Sequence, residues 1–217
     1  MIYLNGCSFV KGSELPLPRQ HFGRQVANHF GKEFKNRAKV GGSNDRIART
    51  TLTGVEMYEP ELVIIMWTII NRFEYMRGTT WQGLQWHPQH PHRYDLNTKK
   101  VLASSKVTRH PNDDDSDWLV KNGWAHRFTN AYSDLIKSLH DMLMTKHYLE
   151  SKGVPYLFYT ASSGNIKPFM YLCDAEFYEG ANNVWTTEQL PASFYYRELP
   201  FLKEKGFLEM CKSKGLP

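Results

Sequence analysis

Cysteine is scarce in this chain: Cys7, Cys173 and Cys211 are the only three among 217 residues. An odd number without C-x-x-C spacing excludes a disulfide scaffold and a four-cysteine zinc site, and a reducing compartment, the cytoplasm, is the expectation. Long apolar stretches are missing too. The longest, Leu62 to Ile70, covers nine residues, about half of the roughly 20 that a membrane-spanning helix needs. The N-terminal Met1-Ile2-Tyr3-Leu4-Asn5-Gly6 lacks the basic-then-apolar layout of a signal peptide, so neither a membrane span nor classical secretion is expected. Nor is charge of one sign concentrated anywhere. Lys and Arg number 27 against 22 Asp and Glu, a net charge of +5, and the one basic cluster, Lys99 to Arg109, runs into Asp113-Asp114-Asp115-Ser116-Asp117. That reads as a solvated mixed-sign loop; with no recognition motif beside it, no nucleic-acid partner is expected.

What the chain does have is alternation of strand-like and helix-like segments. Ile2-Tyr3-Leu4-Asn5 is a β-prone run closed by Gly6, and Phe22, Val26 and Phe30 recur at helical spacing before Gly31. Residues 33–38 predict a second strand, ended by Gly41-Gly42; Ser43 or Asn44 caps a helix carrying Ile47, Leu52 and Val55 up to Pro60. Leu62 to Trp67 is continuously apolar, the pattern of a strand covered on both faces. From 72 to 123 periodicity dissolves into Trp, His, Pro and Asp, read as an insertion. Phe128, Ala131, Tyr132, Leu135, Leu139, Met142 and Leu143 form a helical stripe over 125–150, Val154 to Thr160 is a fourth strand, and short helices are predicted over 196–205 and 207–214. The expectation is one α/β domain over 1–217 with a central, mostly parallel sheet and a long insertion at 72–123.

Ligands of such sheets bind beyond the carboxyl ends of the strands. That rule selects Gly6-Cys7-Ser8, Gly41-Gly42-Ser43-Asn44 and the segment from Thr68 to Glu74, all facing one crevice. Singly, each has a plain structural reading: a serine after a strand as turn former or cap, Gly-Gly-Ser-Asn as a strand-to-helix loop.

As an ordered set, these residues resemble the SGNH (GDSL-type) hydrolases, three-layer flavodoxin-like α/β esterases, lipases and acyl hydrolases with a serine nucleophile. Gly6-Cys7-Ser8 matches the family's first block, with Cys7 where Asp is usual; Gly42, or Gly41, matches the glycine after the second strand, and Asn71 the asparagine after the third. The resemblance covers the first 75 residues. It implies Ser8 as nucleophile, with the backbone N–H groups of Ser8 and Gly42 and the Asn71 amide as oxyanion donors. Cys7 is read as a small buried residue. The family's C-terminal Asp-x-x-His block has no counterpart: no Asp has a His three residues later, and none of the nine histidines lies beyond His147. Either the chain is a C-terminally incomplete version, or His126 or an insertion histidine is the base.

Asn44, Arg72 and Trp67 are further candidates for contacting substrate, with Arg46 nearby; Arg72 and Glu74 can equally form a structural ion pair. Trp81, Trp86, His87, His90, His92, Tyr94 and Asp95 suggest an aromatic lid or sugar platform. The His87-x-x-His90-x-His92 spacing in a Pro-rich loop is a weak metal signature, so no metal or other cofactor is expected. The functional expectation is hydrolysis of a small-molecule ester or acylated carbohydrate; the alternative is a non-catalytic carbohydrate-binding or viral structural module on the same fold. Oligomeric state is left open.

Overall fold

The computed structural model describes residues 1–13, 15–17, 20–77, 79–85, 87–88, 93–95, 100–102, 105–106, 131–174 and 190–214, with the backbone alone at 75–77, 80–85, 87–88, 93–95, 100–102, 105–106 and 131. In chain order the first elements are β1 (Ile2–Gly6), α1 (Ser8–Lys11), α2 (Phe22–His29), β2 (Phe34–Asn36), α3 (Asn44–Tyr58) and β3 (Leu62–Trp67). A hairpin follows, β4 (Arg72–Arg77) with β5 (Thr80–Gln85), then the short strands β6 (His87–Pro88), β7 (Arg93–Asp95), β8 (Lys100–Leu102) and β9 (Ser105–Lys106). The chain continues through α4 (Ala131–Ser151), β10 (Tyr156–Thr160), 3-10 turns at Ser163–Asn165 and Lys167–Cys173, α5 (Ala192–Glu198), a 3-10 turn at Pro200–Lys203 and α6 (Phe207–Ser213).

Four strands make one parallel sheet in the order β10-β3-β1-β2. The central strand β1 aligns Ile2 with Phe34 on one side and with Leu62 on the other, and Val63 of β3 aligns with Tyr156 of β10. Period-two alternation splits the strand residues between two cores. Tyr3, Val63, Ile65, Trp67 and Phe158 face α3, α4 and the α5 region, where they meet Ile47, Leu135, Leu139 and Tyr195. Ile2, Leu4, Ile64 and Met66 face the opposite way, towards Val10, Ala27 and Phe207 of α1, α2 and α6. Burial on both faces is why β3 reads as an unbroken apolar run. The α/β expectation with a parallel central sheet therefore holds.

Boundaries differ in instructive ways. The second and fourth sheet strands are shorter than expected, because only the residues that reach β1 and β3 pair. The segment expected as irregular from residue 72 opens as an antiparallel hairpin in which Arg72 faces Gln85 and Arg77 faces Thr80. Its Arg-Phe-Glu-Tyr alternation carried a strand signal that the surrounding His and Pro obscured. Residues 125–130, at the start of the predicted long helix, lie outside the described residues, as do the whole acidic run and part of the basic cluster. Ser43 occupies the N-cap of α3 in extended conformation, yet its hydroxyl makes no cap bond and donates instead to Asp45 Oδ1. No helix among the described residues is long and apolar enough to cross a membrane.

Candidate functional site at the carboxyl ends of β1, β2 and β3

The turn out of β1 is built on Gly6. Its φ of 155° is rare for residues with side chains, and a Cβ there would stand 2.5 Å from Val10 Cγ2 and 2.9 Å from the Met66 carbonyl oxygen. Just before it, Asn5 is fully buried and donates to Ile47 O at 3.0 Å, Thr50 Oγ1 at 2.8 Å and Thr51 Oγ1 at 2.9 Å, while its Oδ1 accepts from Gly6 N at 2.9 Å. The end of β1 is thereby bolted to α3. Cys7 is buried, as expected of a small residue packed under the turn. Ser8 is half-buried and opens the single-turn helix α1, which Gly12 closes at φ 69° with its N–H on Ser8 O at 3.0 Å. The Ser8 hydroxyl makes no hydrogen bond to another described residue.

Gly42 stands beside this turn. A Cβ on it would lie 3.2 Å from Gly6 O and 3.0 Å from Lys39 O. Its backbone N–H donates to Lys39 O at 2.9 Å, which corrects the expectation that this N–H serves an oxyanion: the donor is spent closing a turn. Glycine is needed here because two carbonyls crowd the position. Gly41 is the other half of the block, exposed, at φ 70° and with open space where a Cβ would go. Asn71, only 9% exposed, closes the short connection after β3 and immediately precedes β4. Ser8, the Gly41-Gly42 pair and Asn71 thus sit at the carboxyl ends of three neighbouring strands.

Two of the other candidates are placed differently from what was expected. Asn44 is 2% exposed; its Oδ1 accepts from Thr68 N at 2.9 Å and its amide donates to Thr68 O at 3.3 Å and Ser138 Oγ at 3.1 Å. It braces β3, α3 and α4 and has no surface to offer a substrate. Trp67 is fully buried, packed edge-on against Phe158 with ring centroids 5.4 Å apart. Its apolar bulk serves the core, because the last residue of β3 points under α4 rather than into the crevice. Arg72 is half-buried and donates from Nη1 to Thr68 Oγ1 at 2.9 Å.

The ion pairing of Glu74 runs to α3. Its carboxylate, 4% exposed, meets Arg49 Nη2 at 2.5 Å and Arg46 Nε at 3.6 Å. Asp45 joins the same cluster, accepting from Glu74 N at 3.2 Å and pairing with Lys137 at 3.0 Å. Burial weakens the hold of Arg46 on its proton, and the facing Glu74 works against that.

The histidine expected as base is not found at Ser8 among the described residues. His21, on the neighbouring α2 N-cap, has Nε2 on Val10 O at 2.6 Å and Nδ1 accepting from Gly23 N at 3.1 Å. Nε2 also has Asn36 Nδ2 at 2.8 Å, so both ring nitrogens are engaged where α1, α2 and β2 meet. The side chains of His87, His90, His92, His110 and His126 lie outside the described residues, as do those of Trp81, Trp86, Tyr94 and Asp95. No group of His, Cys, Asp and Glu suited to a metal ion occurs among the described residues.

One buried acid escaped notice in the sequence. Asp134, in the first turn of α4, is 2% exposed, and its Oδ2 has no hydrogen-bond partner. Burial pushes its carboxyl up to about 8, against the lowering effects of Lys137 and a Ser133 hydrogen bond. Helical spacing sets Asp134 off the stripe of Leu135, Leu139 and Met142, so its burial carried no local sequence signal and follows from how α4 packs.

No curated protein matches the chain. A family model does match, over residues 18–179, a span that starts after Ser8 and takes in Gly41, Gly42, Asn71, Glu74 and Asp134. By that match the chain belongs to a family of unknown function, DUF6071.

Proposed function

We propose that this chain carries a serine-dependent ester hydrolase site of the SGNH (GDSL) type on a flavodoxin-like frame. The observation that carries the reading is the placement of Ser8, Gly41-Gly42 and Asn71 at the carboxyl ends of adjacent parallel strands. In chain order the sheet runs second, first, third, fourth strand, which supports the flavodoxin-like arrangement. Ser8 Oγ attacks the ester carbonyl carbon and its proton passes to a histidine; collapse expels the alcohol carrying that proton, and water releases the acid in a second round. The Ser8 N–H, the Asn71 amide and, in place of the spent Gly42 donor, the Gly41 N–H meet the developing oxyanion. The base comes from the histidines outside the described residues, His126 or one in the insertion. Small esters or acylated carbohydrates are the substrate class, and free Cys7, Cys173 and Cys211 suit a reducing, cytoplasmic setting.

A second reading, a binding module without turnover, is favoured by one fact: the Ser8 hydroxyl has no base among the described residues. The two are separated by a fluorophosphonate probe together with p-nitrophenyl acetate and butyrate, applied to the chain and to Ser8→Ala. Labelling and turnover are expected in the former and are lost in the latter. Intact protein that neither labels nor turns over refutes the hydrolase and leaves the binding module. Asn71→Ala is expected to lower kcat by about two to three powers of ten.

A further inference from the structure

The two loops that bear the oxyanion donors come from different parts of the chain, and one partly buried ion pair ties them together. Arg46, 12% exposed at the side chain, reaches the first loop through Nη2, which donates to Arg37 O at 3.1 Å, four residues before Gly41. Its Nη1 lies 3.9 Å from where a Cβ on Gly42 would be. On its other side Arg46 Nε faces Glu74 Oε1 at 3.6 Å, three residues beyond Asn71. Glu74 is in turn held by Arg49 at 2.5 Å, and its backbone N–H donates to Asp45 Oδ2 at 3.2 Å. A guanidinium offers donors in a rigid planar fork, so a single side chain can set the separation of two loops where a lysine would tether only one.

We propose that Arg46 and Glu74 are positioning residues that fix the spacing between the Gly41-Gly42 loop and Asn71, and so set the geometry of the oxyanion site. This rests on the hydrolase reading for its consequence, though the coupling of the two loops can be measured without it. Donors of an oxyanion site act only at hydrogen-bond distance from where the charge develops, and a misplacement of about 1 Å costs up to roughly a hundredfold in rate. Glu74→Gln and Arg46→Lys are each expected to lower kcat about ten- to a hundredfold at little changed KM. Glu74→Asp, which keeps the charge, is expected to recover part of the loss.

The test is a pair of readouts on the full chain. In nitrogen-15 NMR spectra, Glu74→Gln and Arg46→Lys are expected to displace both the Gly41 backbone amide and the Asn71 side-chain amide. Lys152→Gln, which breaks the exposed Lys152–Glu56 pair, is expected to move neither. A lowered Tm with both signals in place, or a shift confined to Asn71, overturns the clamp. Arg46→Lys retains the charge and keeps the comparison available if Glu74→Gln does not fold. Absence of Ser8-dependent ester turnover in the unmodified chain defeats the hydrolase reading alone, and the paired amide shifts then decide the clamp.

Discussion

Asp134 shows how much a single residue can set. In the unfolded chain its carboxyl titrates near the ordinary value of about 4, whereas in the fold it is pushed up to about 8. Below pH 4 both states hold the proton and the buried acid carries no ionisation penalty. As pH rises from 4 to 8 only the unfolded state ionises, so stability is lost across that window and the penalty is complete above the folded value. Asp141, raised to about 6 by burial, adds to the same slope at its acidic end. Asp134→Asn is therefore expected to flatten the fall in stability between pH 5 and 8, and to gain on the order of 2 kcal/mol at pH 8. Urea denaturation of both proteins at several pH values measures this; equal slopes would sink the assignment. The residue scale also corrected the reading of the site: Gly42 was legible as an indispensable glycine, but its reason is the crowding of Gly6 O and Lys39 O.

At the scale of elements, α3 is the organiser. Its inner face meets β1 through Tyr3, whose hydroxyl donates to Thr50 O at 2.6 Å, and Gly54 lets the helix come close enough for that bond. In an ordinary helix interior Gly→Ala gains about 0.5–1 kcal/mol. Here the added Cβ would stand 2.3 Å from Tyr3 Cε2, so Gly54→Ala is expected to cost about 2 kcal/mol instead. Denaturation midpoints give the sign directly, and a stabilised variant would show that α3 can shift off the sheet at no cost. The β4-β5 hairpin is the element the sequence concealed. Its root is held by Phe73, buried beside Lys137, and by Glu74 among the α3 arginines. Such contacts bridge about 25 to 65 residues of chain, a reach that local periodicity does not encode.

Over the whole molecule, the carboxyl end of the sheet is where the layers are joined by polar contacts as well as by packing. Asn44 links α3, β3 and α4 there, so Asn44→Ala is expected to lower stability by about 2–3 kcal/mol, since buried partners lose their bonds at once. If ester hydrolysis is present, its KM is expected to stay within about twofold, because a buried brace does not touch substrate; a large rise in KM with stability unchanged would restore Asn44 as a binding residue. The parallel sheet, its two-sided burial and the strand-end loops were all determined by the sequence itself. An apolar run with strand length, glycine after a strand and helical stripes are local properties of covalent geometry and side-chain volume. Only the tertiary structure decided what the polar residues do. Whether Asn44 and Trp67 face a crevice or a core, whether Glu74 pairs with Arg72 or with Arg46 and Arg49, and whether Asp134 is solvated depend on how separate elements pack. Electrostatic and desolvation energies follow from those distances in space, not from distance along the chain.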